Sequence, residues 1–109
     1  MEFKQYFDEN YFVSKCGKVK NKKGIIMTPQ NKKSGYQFYY LYLNGKAKKV
    51  LAHRMVMIAW KPRVDFIFMT VNHKDGNKTN NQLDNLEWMT NQENRKHYLD
   101  NLHVYKHPK

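Results

Sequence analysis

Acidic residues are missing from a long part of this chain: from Lys15 to Arg63 there are 13 Lys and Arg and not one Asp or Glu. Over all 109 residues the formal charge is +11. So one-sided a field attracts polyanions, of which nucleic acid is the commonest soluble kind. Lysines that only kept a small protein soluble would not need this distribution. Cysteine is almost absent as well. A single Cys16 excludes an intramolecular disulfide and any Cys-rich zinc site, so a reducing cytoplasm is expected. No stretch reaches the roughly 20 apolar residues of a membrane span. The opening "MEFKQYFDEN" lacks the basic start and apolar middle of a signal peptide.

What is present fits one α+β domain over 1–109, since a hydrophobic fraction of 40% with 15% aromatics supplies a modest core. "YFVSKCGKVKN" reads as a hairpin turning near Cys16-Gly17. "GYQFYYLYLNGKAKKVLA" reads as a longer hairpin turning at Asn44-Gly45, the strongest two-residue hairpin signal. On its first strand Tyr36, Phe38, Tyr40 and Tyr42 share one face, and Gln37, Tyr39, Leu41 and Leu43 the other. Both faces are expected to be partly covered, with the tyrosines serving core and sheet surface rather than base stacking.

"HRMVMIAW" is apolar almost all round, which predicts a buried helix ended at Lys61 by Pro62. His53 and Arg54 at its start admit two placements. Either they face a phosphate at the helix N-terminus, or the His bonds to backbone and the Arg lies on the surface. "FIFMTVNH" predicts a strand with His73 at its end, and "NLEWMT" a strand pairing back across a polar loop. Thr90 and Glu93 form a capping box, which predicts a helix from Thr90 to about Asn101. Strand, loop, strand and helix then gather His73, Asn85 and Asn94. The fold class expected is N-terminal hairpins and a buried helix, followed by a ββα finger. Its division falls at a basic hairpin module over 1–50 and a helix plus finger over 51–102. Leu83, Leu86, Trp88, Met89, Tyr98, Leu99 and Leu102 are assigned to packing.

"VNHKDGNKTNNQLDNLEWMTNQEN" resembles the active-site signature of HNH endonucleases of the His-Me finger group, in particular the small phage and intron homing enzymes. "AHRMVMIAW" is similar to the helix that precedes this signature, and "YFVSKCGKV" to a short module often fused to it. The resemblance implies a phosphodiester hydrolase in which His73 is the general base. Imidazole, with a reference pKa of about 6.5, accepts a proton at cellular pH unaided. It further implies that Asn72 and Asn94 hold a divalent cation, Mg²⁺ or Mn²⁺ by the hardness of amide oxygen, and that Asn85 holds the loop and helps orient His73.

Several relatives carry Asp where this chain has Asn72, which predicts a weakly held metal. Asp75 is expected to cap its Asp-Gly-Asn turn rather than bind metal, and His97 to face solvent or phosphate. Lys48, Lys49, Arg54, Lys74, Lys78, Arg95 and Lys96 are the expected DNA contacts. Only "HVYKHPK" follows Leu102, so the separate DNA-reading domain of larger relatives is not expected, nor is a dimer. If the chain is phage-encoded, its cytoplasm is that of a host cell. Two other classes stay open: a DNA-binding module of this fold whose nuclease centre has decayed, and a protein-binding or inhibitory protein.

Overall fold

The computed structural model describes residues 1–6 and 10–92. Among these residues three small antiparallel sheets surround one α-helix. The first sheet has the order β1 (Phe3–Gln5), β2 (Tyr11–Ser14), β3 (Val19–Asn21). The second runs β4 (Gln30–Asn31), β5 (Gln37–Leu43), β6 (Lys46–Leu51). The third pairs β7 (Met69–His73) with β8 (Leu86–Thr90). Between the second and third lies α1 (Ala52–Trp60). No helix among the described residues is long and apolar enough to cross a membrane.

Both expected hairpins form. In the β5–β6 turn Asn44 and Gly45 have φ of 53° and 77°. Two consecutive positive φ values suit a turn whose twist matches the strands, and Asn-Gly meets that demand at little cost. The register Leu43↔Lys46 follows from it. The alternation on β5 separates the faces: Tyr39 and Leu41 are buried in the core, while Tyr40 and Tyr42 are 52% and 66% exposed. On the outer face, cover reaches Phe38 but not these two tyrosines.

Helix α1 buries Ala52, His53, Met55, Val56, Met57 and Ile58, and it packs against strands of all three sheets. Its end falls where Pro62 requires, with Lys61 leaving helical geometry. Indole and hydroxyl groups fasten the layers at their edges. Trp60 Nε1 donates to the Val13 carbonyl at 3.0 Å, Trp88 Nε1 to the Lys61 carbonyl at 2.7 Å, and the Tyr39 hydroxyl to the Gly17 carbonyl at 2.8 Å. Leu86 is buried, and Leu83 and Trp88 pack partly buried against the same core.

One element departs from expectation. The predicted strand through "FIFMTVNH" begins only at Met69, because Phe66–Phe68 forms a 3₁₀ turn with Ile67 and Phe68 exposed. Arg54 accounts for the difference. Its Nη1 donates to the Met69 carbonyl at 2.8 Å and its Nη2 to the Phe66 carbonyl at 3.1 Å, so one guanidinium spans both ends of the turn. Asn91 and Gln92 are helical, directly after the Thr90 cap position. The rest of the expected C-terminal helix, with Glu93, Asn94, Arg95, Lys96, His97, Tyr98, Leu99 and Leu102, lies outside the described residues.

Removing a fully buried side chain leaves both lost transfer energy and a cavity. Leu41→Ala should therefore cost about 2–5 kcal/mol in urea unfolding, whereas Ile67→Ala on the exposed turn should cost under about 0.5 kcal/mol.

Candidate active site

The β7–β8 ladder brings His73 opposite Leu86 and Asn72 opposite Glu87. His73 ends β7 and is buried, 6% exposed as a residue. The intervening loop is polar but tightly wired, and Asp75 is its hub. Asp75 Oδ1 accepts from the Asn77 amide at 2.8 Å and from Asn85 Nδ2 at 3.0 Å, while Oδ2 accepts from Asn80 Nδ2 at 2.9 Å. Those bonds, that from Asn80 foremost, hold the Asp75 carboxyl below its ordinary pKa. Asp75 thus takes the turn-capping place expected of it. Asn85 closes the loop from the other strand. Its Oδ1 accepts from the Asp75 amide at 3.1 Å, its Nδ2 also reaches the Asn80 carbonyl at 2.9 Å, and its own carbonyl accepts from the Lys74 amide at 2.8 Å.

The side chain that meets the His73 ring is Asn81, not Asn85. His73 Nε2 lies 2.9 Å from Asn81 Oδ1, and Asn81 is itself buried. An amide oxygen can only accept, so the arrangement makes Nε2 the donor, and in a neutral imidazole the lone pair then falls on Nδ1. Asn85 acts on the loop backbone instead. Two further rings wall the site. His53 lies 4.7 Å from His73 between centroids, and Tyr36 stacks on His53 at 5.2 Å while standing 5.9 Å from His73. Neither placement expected for His53 is the one found, because the residue is buried against His73. Its Nδ1 has no hydrogen-bond partner among the described residues. Asn81, Tyr36 and the buried place of His53 were not foreseen, since these contacts join residues far apart in sequence and no local spacing signals them.

Asn72 donates from Nδ2 to Glu87 Oε2 at 2.8 Å, which leaves its amide oxygen as the atom open to a cation. That oxygen is a hard donor of the kind Mg²⁺ or Mn²⁺ takes. The other expected ligand, Asn94, lies outside the described residues.

Of the expected DNA contacts, Lys48 and Lys49 are exposed on β6, with the Lys49 ammonium 5.3 Å from the Phe38 ring centroid. Lys74 and Lys78 are exposed on the His73 loop. Lys78 Nζ donates to the Ser34 carbonyl at 2.8 Å and sits 4.8 Å over the Tyr36 ring, which ties the loop to the chain before β5. Arg54 is different in kind: it is half-buried, and its two terminal nitrogens serve the Phe66 and Met69 carbonyls. A guanidinium so engaged is a brace between α1 and β7 rather than an open phosphate contact.

Burial, with the His73 ring and the Arg54 guanidinium adding to it, lowers the His53 pKa to about 3. The unfolded chain binds a proton near pH 6.5 that the folded one refuses. This contribution to stability is therefore whole above about pH 6.5 and is lost progressively as pH falls toward 3. Between pH 7 and pH 5 the wild type should lose about 2 kcal/mol more than His53→Phe does, read from urea unfolding at the two pH values. Equal losses would place the proton elsewhere.

Comparison with known proteins bears directly on this arrangement. Residues 50–96 match the family model for HNH endonuclease. The chain is 38% identical over 93 residues to DNA endonuclease I-HmuI of Bacillus phage SP01, an alignment covering 83% of this chain and 53% of that protein. It is 36% identical over 93 residues to an uncharacterized HNH endonuclease of Acanthamoeba polyphaga mimivirus, covering 85% of this chain and 28% of the relative. The chain thus spans about half of the one and about a quarter of the other. A solved structure, described as DNA binding and cleavage by the HNH homing endonuclease I-HmuI, matches with a TM-score of 0.78 and 33% identity. That match covers all of this chain and 62% of the other. Matched region, relatives and shared fold agree: residues 50–96 of this chain carry the HNH endonuclease match, within a fold like that of the I-HmuI structure.

Proposed function

We propose that this protein is a metal-dependent endonuclease that hydrolyses phosphodiester bonds of double-stranded DNA, with His73 as general base. The observation that carries this reading is the buried His73 ring at the end of β7, whose Nε2 faces an amide oxygen and whose Nδ1 is thereby left basic. Nδ1 takes a proton from water as the water oxygen bonds to phosphorus, and the leaving oxygen departs with its bonding electrons and is protonated by solvent. Asn72 and Asn94 would hold a divalent cation, Mg²⁺ or Mn²⁺, through amide oxygens, supported for Asn72 by the Glu87 bond that engages its nitrogen. When bound, such a cation offsets the charge that builds on the phosphate and leaving oxygen. Asn85 keeps the loop closed around the base.

DNA is held by the basic field, through Lys48, Lys49, Lys74 and Lys78 together with Arg95 and Lys96. The chain works as one domain, a reading supported by the way α1 packs on all three sheets. One His73 and one Asn94 address one scissile phosphate at a time, so a monomer nicks.

His73→Ala should abolish cleavage of supercoiled plasmid while leaving DNA affinity nearly intact, because binding rests on the lysines and arginines. In a time course at limiting wild-type enzyme, open circle should precede linear product. Cleavage by His73→Ala at the wild-type rate would remove the mechanism. Linear DNA without an open-circle stage would overturn the monomeric nickase alone.

Salt dependence tests the binding surface separately. Log affinity should fall linearly with log salt, with a slope of about −0.9 for each phosphate neutralised. Lys48→Gln with Lys49→Gln should flatten that slope by up to about two such steps. Arg54→Gln should act chiefly on stability. A wild-type slope near zero would favour a protein-binding role instead.

A further inference from the structure

We infer that Asn81 is a positioning residue for His73, and that Gln37 on the second sheet holds Asn81 in the one amide orientation that serves the base. The inference rests on reading His73 as the base. An asparagine side chain offers an accepting end and a donating end, and a histidine bonded to it must adopt the complementary tautomer. If the Asn81 amide were turned round, its NH₂ would face Nε2, the proton would move to Nδ1, and the lone pair would point into the protein.

Gln37 decides between the two. Asn81 Nδ2 donates to Gln37 Oε1 at 3.0 Å, which commits Asn81 Oδ1 to His73 Nε2 at 2.9 Å. Gln37 is the first residue of β5, 44 positions from Asn81 in sequence. The relay therefore crosses from the second sheet into the finger.

The first sheet supports Asn81 from another side. Gly17, in the β2–β3 turn, has φ of +90°, and a Cβ there would lie 2.9 Å from the Asn81 Cβ. Glycine is needed at that position for both reasons, backbone and space. The neighbouring Leu83 amide donates to the Lys15 carbonyl at 2.7 Å, so the turn and the segment after Asn81 are joined. Asn81 is 4% exposed, which leaves its amide little access to water as a substitute partner. Two asparagines thus divide the work: Asn85 holds the loop backbone and Asn81 holds the ring. The N-terminal sheets complete the site as well as carrying positive charge.

The test uses the full chain and two independent readouts. Nitrogen NMR of the His73 ring in metal-free protein at neutral pH reads the tautomer directly. Wild type should show the Nε2–H form, Asn81→Leu a mixture, and Asn81→Asp, which keeps an accepting oxygen, the wild-type form. Gln37→Leu should loosen the preference and Gln37→Glu, again an acceptor, should keep it. In plasmid nicking, Asn81→Leu should lower kcat about 10–100-fold with KM little changed, the range typical of groups that orient a functional ligand. Asn81→Asp should retain most of the rate.

An Nδ1–H form in the wild type, or an unchanged tautomer in Asn81→Leu, would overturn the inference. Should Asn81→Leu fail to fold, the same tautomer measurement on Gln37→Leu decides, and an unchanged ring there would overturn the relay. A tautomer set by Asn81 in a protein that cuts no DNA would sustain the positioning and count against the nuclease reading alone.

Discussion

Helix α1 has hardly a face that meets water, and burying it is what draws three small sheets into one body. Sheets of two or three short strands are marginal by themselves and need a partner for their apolar faces. Met55, Val56 and Met57 are each no more than 1% exposed, and side chains of this size contribute roughly 1.5–3 kcal/mol apiece when fully buried. The same burial puts His53 beside His73 and aims Arg54 at the carbonyls of Phe66 and Met69. The position of β7, and with it the place of His73, is therefore a consequence of how the helix packs. A ring held this way has little freedom, which suits the base proposed for it, since a base must meet water and phosphate in one geometry.

Local chemistry made much of this fold legible. Asn44-Gly45 specified a turn that needs two positive φ values, and Pro62 stopped the helix at Lys61, both through backbone constraints that act over a few residues. The strand ending at His73 and the strand from Leu86 followed from apolar stretches bounding a polar loop. Elements with weak local signals were missed. β1 and β4 are three and two residues long, mostly polar, and exist because a longer neighbour offers them a ladder. The stretch 66–68 looked like strand by composition, but Arg54, distant in sequence, takes its carbonyls and fixes a turn.

The site divides along the same line. His73, Asn72 and Asn85 stand in one short signature and could be picked out together. Asn81 stands in that signature too, yet nothing in "TNNQ" distinguishes a residue bonded to His73 from one that makes a turn. Its partner Gln37 and the Tyr36–His53 stack come from other sheets and become visible only when the chain is folded. His53 also shows why charge cannot be read from residue type. A histidine at a helix start, available in sequence to meet a phosphate, is kept neutral by burial beside a second imidazole.

In the proposed reaction the basic field and the fixed imidazole would answer different needs, the first bringing the polyanion to the surface and the second removing a proton from water. Their joint meaning depends on a divalent cation being required. The most direct measurement is incubation of the wild-type protein with supercoiled plasmid in Mg²⁺, in Mn²⁺ and in excess chelator. The account predicts cleavage with at least one of the two metals and none with chelator. Salt-sensitive binding without cleavage in either metal would contradict it and leave a DNA-binding module of the same fold.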